Sequence, residues 1–145
     1  EARRLGACKS CLFASRDYLR DHPAPSEPGE LTSHRLIGLT GEIRWVFARG
    51  TETRRIEVNA PLRYSAAGLI RDAVLRGCGI GCLPDIAGEG EEVEGRLVRL
   101  LPEWSLPTRN IYALFPAMKF MHRGALLLAQ EAEAQIKARS AAAQR

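Results

Sequence analysis

The stretch from Ser65 to Leu83 constrains the fold more than any other part of the chain. The pairs Ala66–Ile70, Leu69–Ala73 and Ile70–Val74 recur at helical spacing, so 65–76 reads as an amphipathic helix capped by Ser65. Gly77 stops it, since glycine takes the left-handed backbone that follows a helix end. Residues 80–83 then read as a buried strand, entered almost at once. A helix that turns so tightly into a buried strand must pack back on the sheet holding that strand.

The rest of the chain repeats this alternation. Residues 10–15 read as a strand feeding a helix at 16–21 whose cap is Ser15. Pro23, Pro25 and Pro28 make a stiff surface connection. Short strands are expected at 35–39, at 43–47 around Trp45, and at 55–58. The acidic stretch 88–95 reads as a loop or short helix, with Glu89, Glu91, Glu92 and Glu94 in solvent. Strands at 97–101 and 110–115 and a long helix at 122–139 close the chain, and 140–145 is expected to fray. The outcome is an α/β domain with a parallel or mixed sheet. The last strand and helix are hard to house in that sheet, and an extended segment around Arg3 and Leu5 opens the chain, which suggests a piece of something larger.

Composition narrows the function classes. With 145 residues and 46% apolar side chains, the chain can bury a proper core. The longest strongly apolar stretch, 124–129, is far short of the roughly 20 residues a membrane span needs. The net charge is +4, but adjacent basic residues occur only at Arg3–Arg4 and Arg54–Arg55, with no basic run to grip a polyanion. Direct DNA binding by this segment is therefore not expected.

Little in the sequence promises chemistry. Cys8 and Cys11, and Cys78 and Cys82, have spacings that invite zinc, but Cys11 and Cys82 fall within strands and no knuckle loop flanks them. Buried structural thiols, a metal site and a redox role all stay open, the first preferred. Gly77-Cys78-Gly79-Ile80-Gly81 leaves a helix and enters a strand, the reverse of a dinucleotide fingerprint. His22, His34 and His122 share no metal spacing, and no serine sits in a nucleophile elbow. Neither a metal nor a cofactor is expected. Ser15 and Ser65, at two helix starts, could offer backbone N–H groups to an anion or could simply cap.

An ordered set of motifs then becomes recognisable. Leu12-Phe13-Ala14-Ser15, Tyr18-Leu19, Pro25, Leu31 with His34, Trp45 with Phe47, Pro61-Leu62 and Ser65 come first. Gly77-x-Gly79-Ile80-Gly81-x-Leu83-Pro84, Gly95-Arg96-Leu97-Val98 and Ile111-Tyr112-Ala113-Leu114-Phe115-Pro116 follow in order. Together they resemble the regulatory domain of LysR-type transcriptional regulators. The resemblance implies a type 2 periplasmic-binding-protein-like fold: one complete Rossmann-like subdomain plus the returning part of a second. Residues 1–8 would be the hinge segment, 9–107 the second, effector-binding subdomain, and 108–145 the returning strand and helix of the first.

It further implies a cytoplasmic, non-enzymatic effector sensor. A small molecule, such as an organic anion, would bind between two subdomains. DNA would be bound only through an N-terminal domain outside this chain, and the full-length protein would be a homo-oligomer. Carried over by position, the wall of the site would be Cys8 at the hinge, Gly38, Leu39 and Thr40 after the second strand, and Tyr64 and Ser65 at the helix start. The chain departs from the family pattern at Arg16, where proline is common, and at Cys78, where leucine is usual. Arg35 stands where peroxide-sensing relatives carry cysteine, which disfavours peroxide sensing by that route. The alternative implied by the fold is a periplasmic solute-binding protein.

Overall fold

The computed structural model describes residues 2–115 and 122–142. Pro116 of the last motif and the final three residues of the segment expected to fray lie outside them. The chain divides into two units, one comprising residues 1–8 and 108–145 and the other Lys9–Pro107.

The Lys9–Pro107 unit is built on a five-stranded mixed sheet. Its strands are β2 (Ser10–Ser15), β3 (Leu36–Leu39), β6 (Leu62–Tyr64), β7 (Ile80–Pro84) and β8 (Leu97–Leu100), in the order β6-β3-β7-β2-β8. β3 runs parallel to both β6 and β7, whereas β2 is antiparallel to β7 and β8. A separate hairpin pairs β4 (Arg44–Arg49) with β5 (Glu52–Glu57). The helices are α1 (Arg16–Asp21), α2 (Ala67–Leu75) and α3 (Asp85–Val93), with a 3-10 turn at Pro28–Ser33.

Strand alternation sends side chains to two cores. On one face Phe13, Ile37, Leu83 and Leu97 meet Ile70, Ala73 and Val74 of α2. On the other, Leu12, Ala14, Leu36 and Ile80 meet Tyr18, Leu31, Trp45, Phe47, Ile56 and Trp104. The apolar stripe of α2 is thus Ile70, Ala73 and Val74, while Leu69 is half exposed. The hairpin, α1 and the 3-10 turn cover the second face, and so Pro25 and Pro28 are buried rather than on the surface.

Other expectations are corrected. The helix starts at Ala67, with Ala66 at the cap position and no side-chain cap bond, so Ser65 does not cap it. Of the two readings of the acidic stretch the short helix holds, and of its glutamates Glu89 and Glu94 are exposed whereas Glu91 and Glu92 are half-buried. Residues 88–93 belong to α3, whose Glu91 pairs with Arg96 and whose Glu92 pairs with Arg99 across 2.9 Å. The strand expected at 55–58 runs Glu52–Glu57, and β6 had not been foreseen.

In the other unit β1 (Ala2–Cys8) pairs antiparallel with β9 (Arg109–Leu114), and α4 (Arg123–Ala142) packs on β1. Gly6 sits so close to Ile136 that a Cβ there would come within 2.6 Å of that side chain. Tyr112, Leu114, Leu127 and Leu128 are exposed.

Candidate functional site

Because β3 and β6 are parallel and in register, Leu39 faces Tyr64, and both strands reach their carboxyl ends together. Thr40 N–H donates to the Tyr64 carbonyl across 2.9 Å, extending the ladder one residue beyond β3. The chain then reverses in a turn closed by Glu42 N–H to the Leu39 carbonyl, 3.0 Å. Gly41 takes φ +83°, a left-handed conformation that a side chain would strain.

The structure therefore brings five of the six sequence-derived candidates to one end of one sheet. Thr40 and Ser65 are exposed there. Leu39 and Tyr64 are half-buried against the α2 core, and Gly38 is buried. Just beyond Ser65 come the cap residue Ala66 and the first helical residues of α2, Ala67 and Gly68, and the Cβ position of Gly68 faces open space. No acidic residue occupies that first turn, so the positive end of the helix dipole is unopposed. Cys8 belongs to the other unit, is buried, and donates its thiol to the Arg109 carbonyl at 3.7 Å.

Ser15 does not join this group. β2 runs opposite to β3, so Ser15 marks the other end of the sheet. Its Oγ accepts the Tyr18 N–H across 3.1 Å and is committed to capping. An open cleft of about 550 Å³ there is lined by Ser15, Arg16, Asp17, Glu91 and Arg96. Two arginines and two carboxylates line it beside the amino end of α1, which Ser15 caps, and the arginines are engaged. Arg16 donates to the Gly95 carbonyl and Arg96 to Glu91. The Arg96 hydrogen bond holds the Glu91 carboxyl below its usual range.

The cysteines do not converge within the unit. Cys11 and Cys78 pack with the α2 core and Cys82 with the opposite one. Among the described residues no three His, Cys, Asp or Glu side chains gather as a metal site would need. Burial pushes the Cys11 thiol up, opposed by Arg99, whose Nη1 donates to its Sγ at 3.1 Å. A thiol held protonated is a poor nucleophile.

Sequence reasoning missed two groups. Arg63, the register partner of Gly38, donates to the carbonyls of Leu39, Glu42 and Val58. Its only sequence signal was its place two residues before Ser65. His22 and His34, far apart in sequence, come within 6.4 Å around Tyr18. Tyr18 stacks on His22, and its hydroxyl lies 3.0 Å from His34 Nδ1.

A mixed sheet covered on both faces, with hydroxyls collected at the carboxyl ends of parallel strands, defines an α/β ligand-binding subdomain of the periplasmic-binding-protein type. The LysR substrate binding domain family matches residues 1–137, and the chain belongs to that family.

It is 34% identical over 125 residues to the transcriptional regulator PtxR of Pseudomonas aeruginosa, covering 81% of this chain and 40% of that protein. The full-length Vibrio cholerae virulence activator AphB superposes with a TM-score of 0.73 at 28% identity, over 94% of this chain and 46% of AphB. The regulatory domain of CrgA from Neisseria meningitidis gives a TM-score of 0.81 at 24% identity, over 94% and 68% respectively, and shows the fold alone. The chain thus spans 35–40% of the curated relatives PtxR and CrgA.

Proposed function

We propose that this chain is the effector-sensing part of a LysR-type transcription factor and catalyses nothing. It binds a small molecule through Leu39, Thr40, Tyr64 and Ser65, with Gly38 behind them and Cys8 as the hinge residue. The observation that supports this most is the in-register meeting of β3 and β6 beside an uncapped helix start. There Thr40 and Ser65 offer hydroxyls, Leu39 and Tyr64 apolar surface, and α2 its free N–H groups, a division of labour typical of small-molecule sites. A small organic anion fits that set. DNA contact belongs to a domain outside these residues, and in the full-length cytoplasmic regulator the chain acts within a homo-oligomer. No helix among the described residues is long and apolar enough to cross a membrane.

The test is an amide-shift titration of the chain with small aromatic and aliphatic carboxylates beside their uncharged amides. Shifts centred on Thr40, Ser65 and the first turn of α2, selective for the carboxylates, support the reading. Binding at the Ser15 end of the sheet instead would overturn it.

A further inference from the structure

We propose that Arg63 is the positioning residue of the ligand wall, locking the Thr40 turn from the side away from the ligand; this rests on the function proposed above. Arg63 Nη1 donates to the Leu39 carbonyl at 3.3 Å and to the Glu42 carbonyl at 2.6 Å. Its Nη2 donates to the Val58 carbonyl at 2.5 Å. One side chain thus ties together the end of β3, the residue that closes the turn, and the segment leaving the hairpin. Val58 is itself buried and donates its N–H to the Ile43 carbonyl, so both ends of the 39–43 loop are held.

Only arginine suits this place. A guanidinium presents donors in a rigid plane and can serve three carbonyls at once, whereas an ammonium is a single flexible point. The strand geometry also explains the glycine opposite. Gly38 is the register partner of Arg63 and shares its face of the sheet. A Cβ at Gly38 would lie 3.2 Å from Arg63 Nη1, and as close to Val58 and Ala60. Gly38 therefore acts on the wall by clearing the path of the guanidinium rather than by touching a ligand. Leu39 and Tyr64, which alternate with them, turn to the opposite face. The purpose is preorganisation, because a turn ordered before binding need not be ordered at the expense of affinity.

The experiment is amide hydrogen exchange on the full chain, paired with titration of benzoate as the probe, in R63K, R63M, G38A and the exposed control R55K. The expected result for R63K and R63M is exchange at the Thr40 and Glu42 amides at least about tenfold faster, with the unfolding midpoint and the β7 amides unchanged. Benzoate affinity should fall several-fold in step, and lysine should not rescue it. G38A should reproduce the local signature although it keeps Arg63, and R55K should match the parent.

Unchanged exchange at Thr40 and Glu42 in R63K would overturn the inference. So would faster exchange throughout the sheet, which would make Arg63 a general stabiliser, or a loosened turn that binds benzoate as tightly as before. If the turn loosens while benzoate shifts no wall amide even in the parent, the positioning of the turn is upheld and the organic-anion reading fails.

Discussion

Gly79, just before β7, lies against the chain entering β3. Ile80 N–H donates to the Arg35 carbonyl at 2.8 Å, and a Cβ on Gly79 would stand 2.3 Å from that same oxygen. Its φ of +155° adds strain for any other residue. Gly79→Ala is expected to destabilise the protein by about 3 kcal/mol, read from the urea midpoint, because a backbone contact cannot give way as a side chain would. The two serines once read as equivalent helix starts should separate cleanly. Ser15→Ala loses a formed cap and should cost about 1 kcal/mol, while Ser65→Ala should change stability by less than about 0.5 kcal/mol. Position before a helix was legible in both cases. What was not legible is that the helix begins at Ala67 instead, so that Ser65 does not cap it. His34 supplies the pH dependence at this scale. Its pKa is held below the ordinary 6.5, first by burial and then by the nearby His22, with Glu30 pulling the other way. The Arg35 guanidinium over the Tyr18 ring adds a further cation to this corner. The unfolded chain therefore takes up the proton more readily than the folded one. Stability is full above about pH 6.5 and is lost as pH falls through the lowered pKa. Urea titrations between pH 7.5 and 5 should show this decline, and His34→Gln should flatten it.

Among the elements, α2 could be read from sequence because its apolar period matches a single buried face, and β2 because a short continuous apolar run marks a strand buried on both faces. β6 could not. With three residues, all half-buried or exposed, it carries no period and exists because β3 offers it a parallel edge. For α3 a short helix was one of two open readings, and what could not be read was that Arg96 and Arg99 fold back onto Glu91 and Glu92. That Gly38, Leu39, Thr40, Tyr64 and Ser65 fall at one end of one sheet agrees with their expected places at a strand end and a helix start, but the turn at Thr40 and the arginine beside it could not be read, since both depend on contacts between separate segments. Strand alternation also bears on the thiols. Cys78 and Cys82 lie in opposite cores, so mild oxidation with diamide should leave all four thiols countable and form no Cys78–Cys82 disulfide. Cys82→Ala should lower stability without altering ligand titration; a reversible disulfide between those two would show that β7 is not held as described.

At the scale of the whole molecule the two units differ in what they can hold by themselves. Lys9–Pro107 contains both cores, whereas among the described residues the other unit has one two-stranded sheet and one helix, with Tyr112, Leu114, Leu127 and Leu128 in water. Large apolar side chains left exposed forgo roughly 1.5–3 kcal/mol each, so the β1–β9 sheet and α4 should be the least protected part of an isolated monomer. Hydrogen exchange at several protein concentrations should show protection there rising with association; strong protection in a dilute monomer would contradict it.

The pairing of Cys8 with Arg109 also sets an order of assembly. Of these two strands β1 is synthesised about a hundred residues before β9 and stays without this partner until β9 is made. Closing that sheet across a disordered intervening chain would require the loop-closure entropy of about a hundred residues. Once the Lys9–Pro107 unit has folded, the two segments leave a fixed body and the search is over a far shorter distance. β1 thus waits for the whole Lys9–Pro107 unit before it finds its partner.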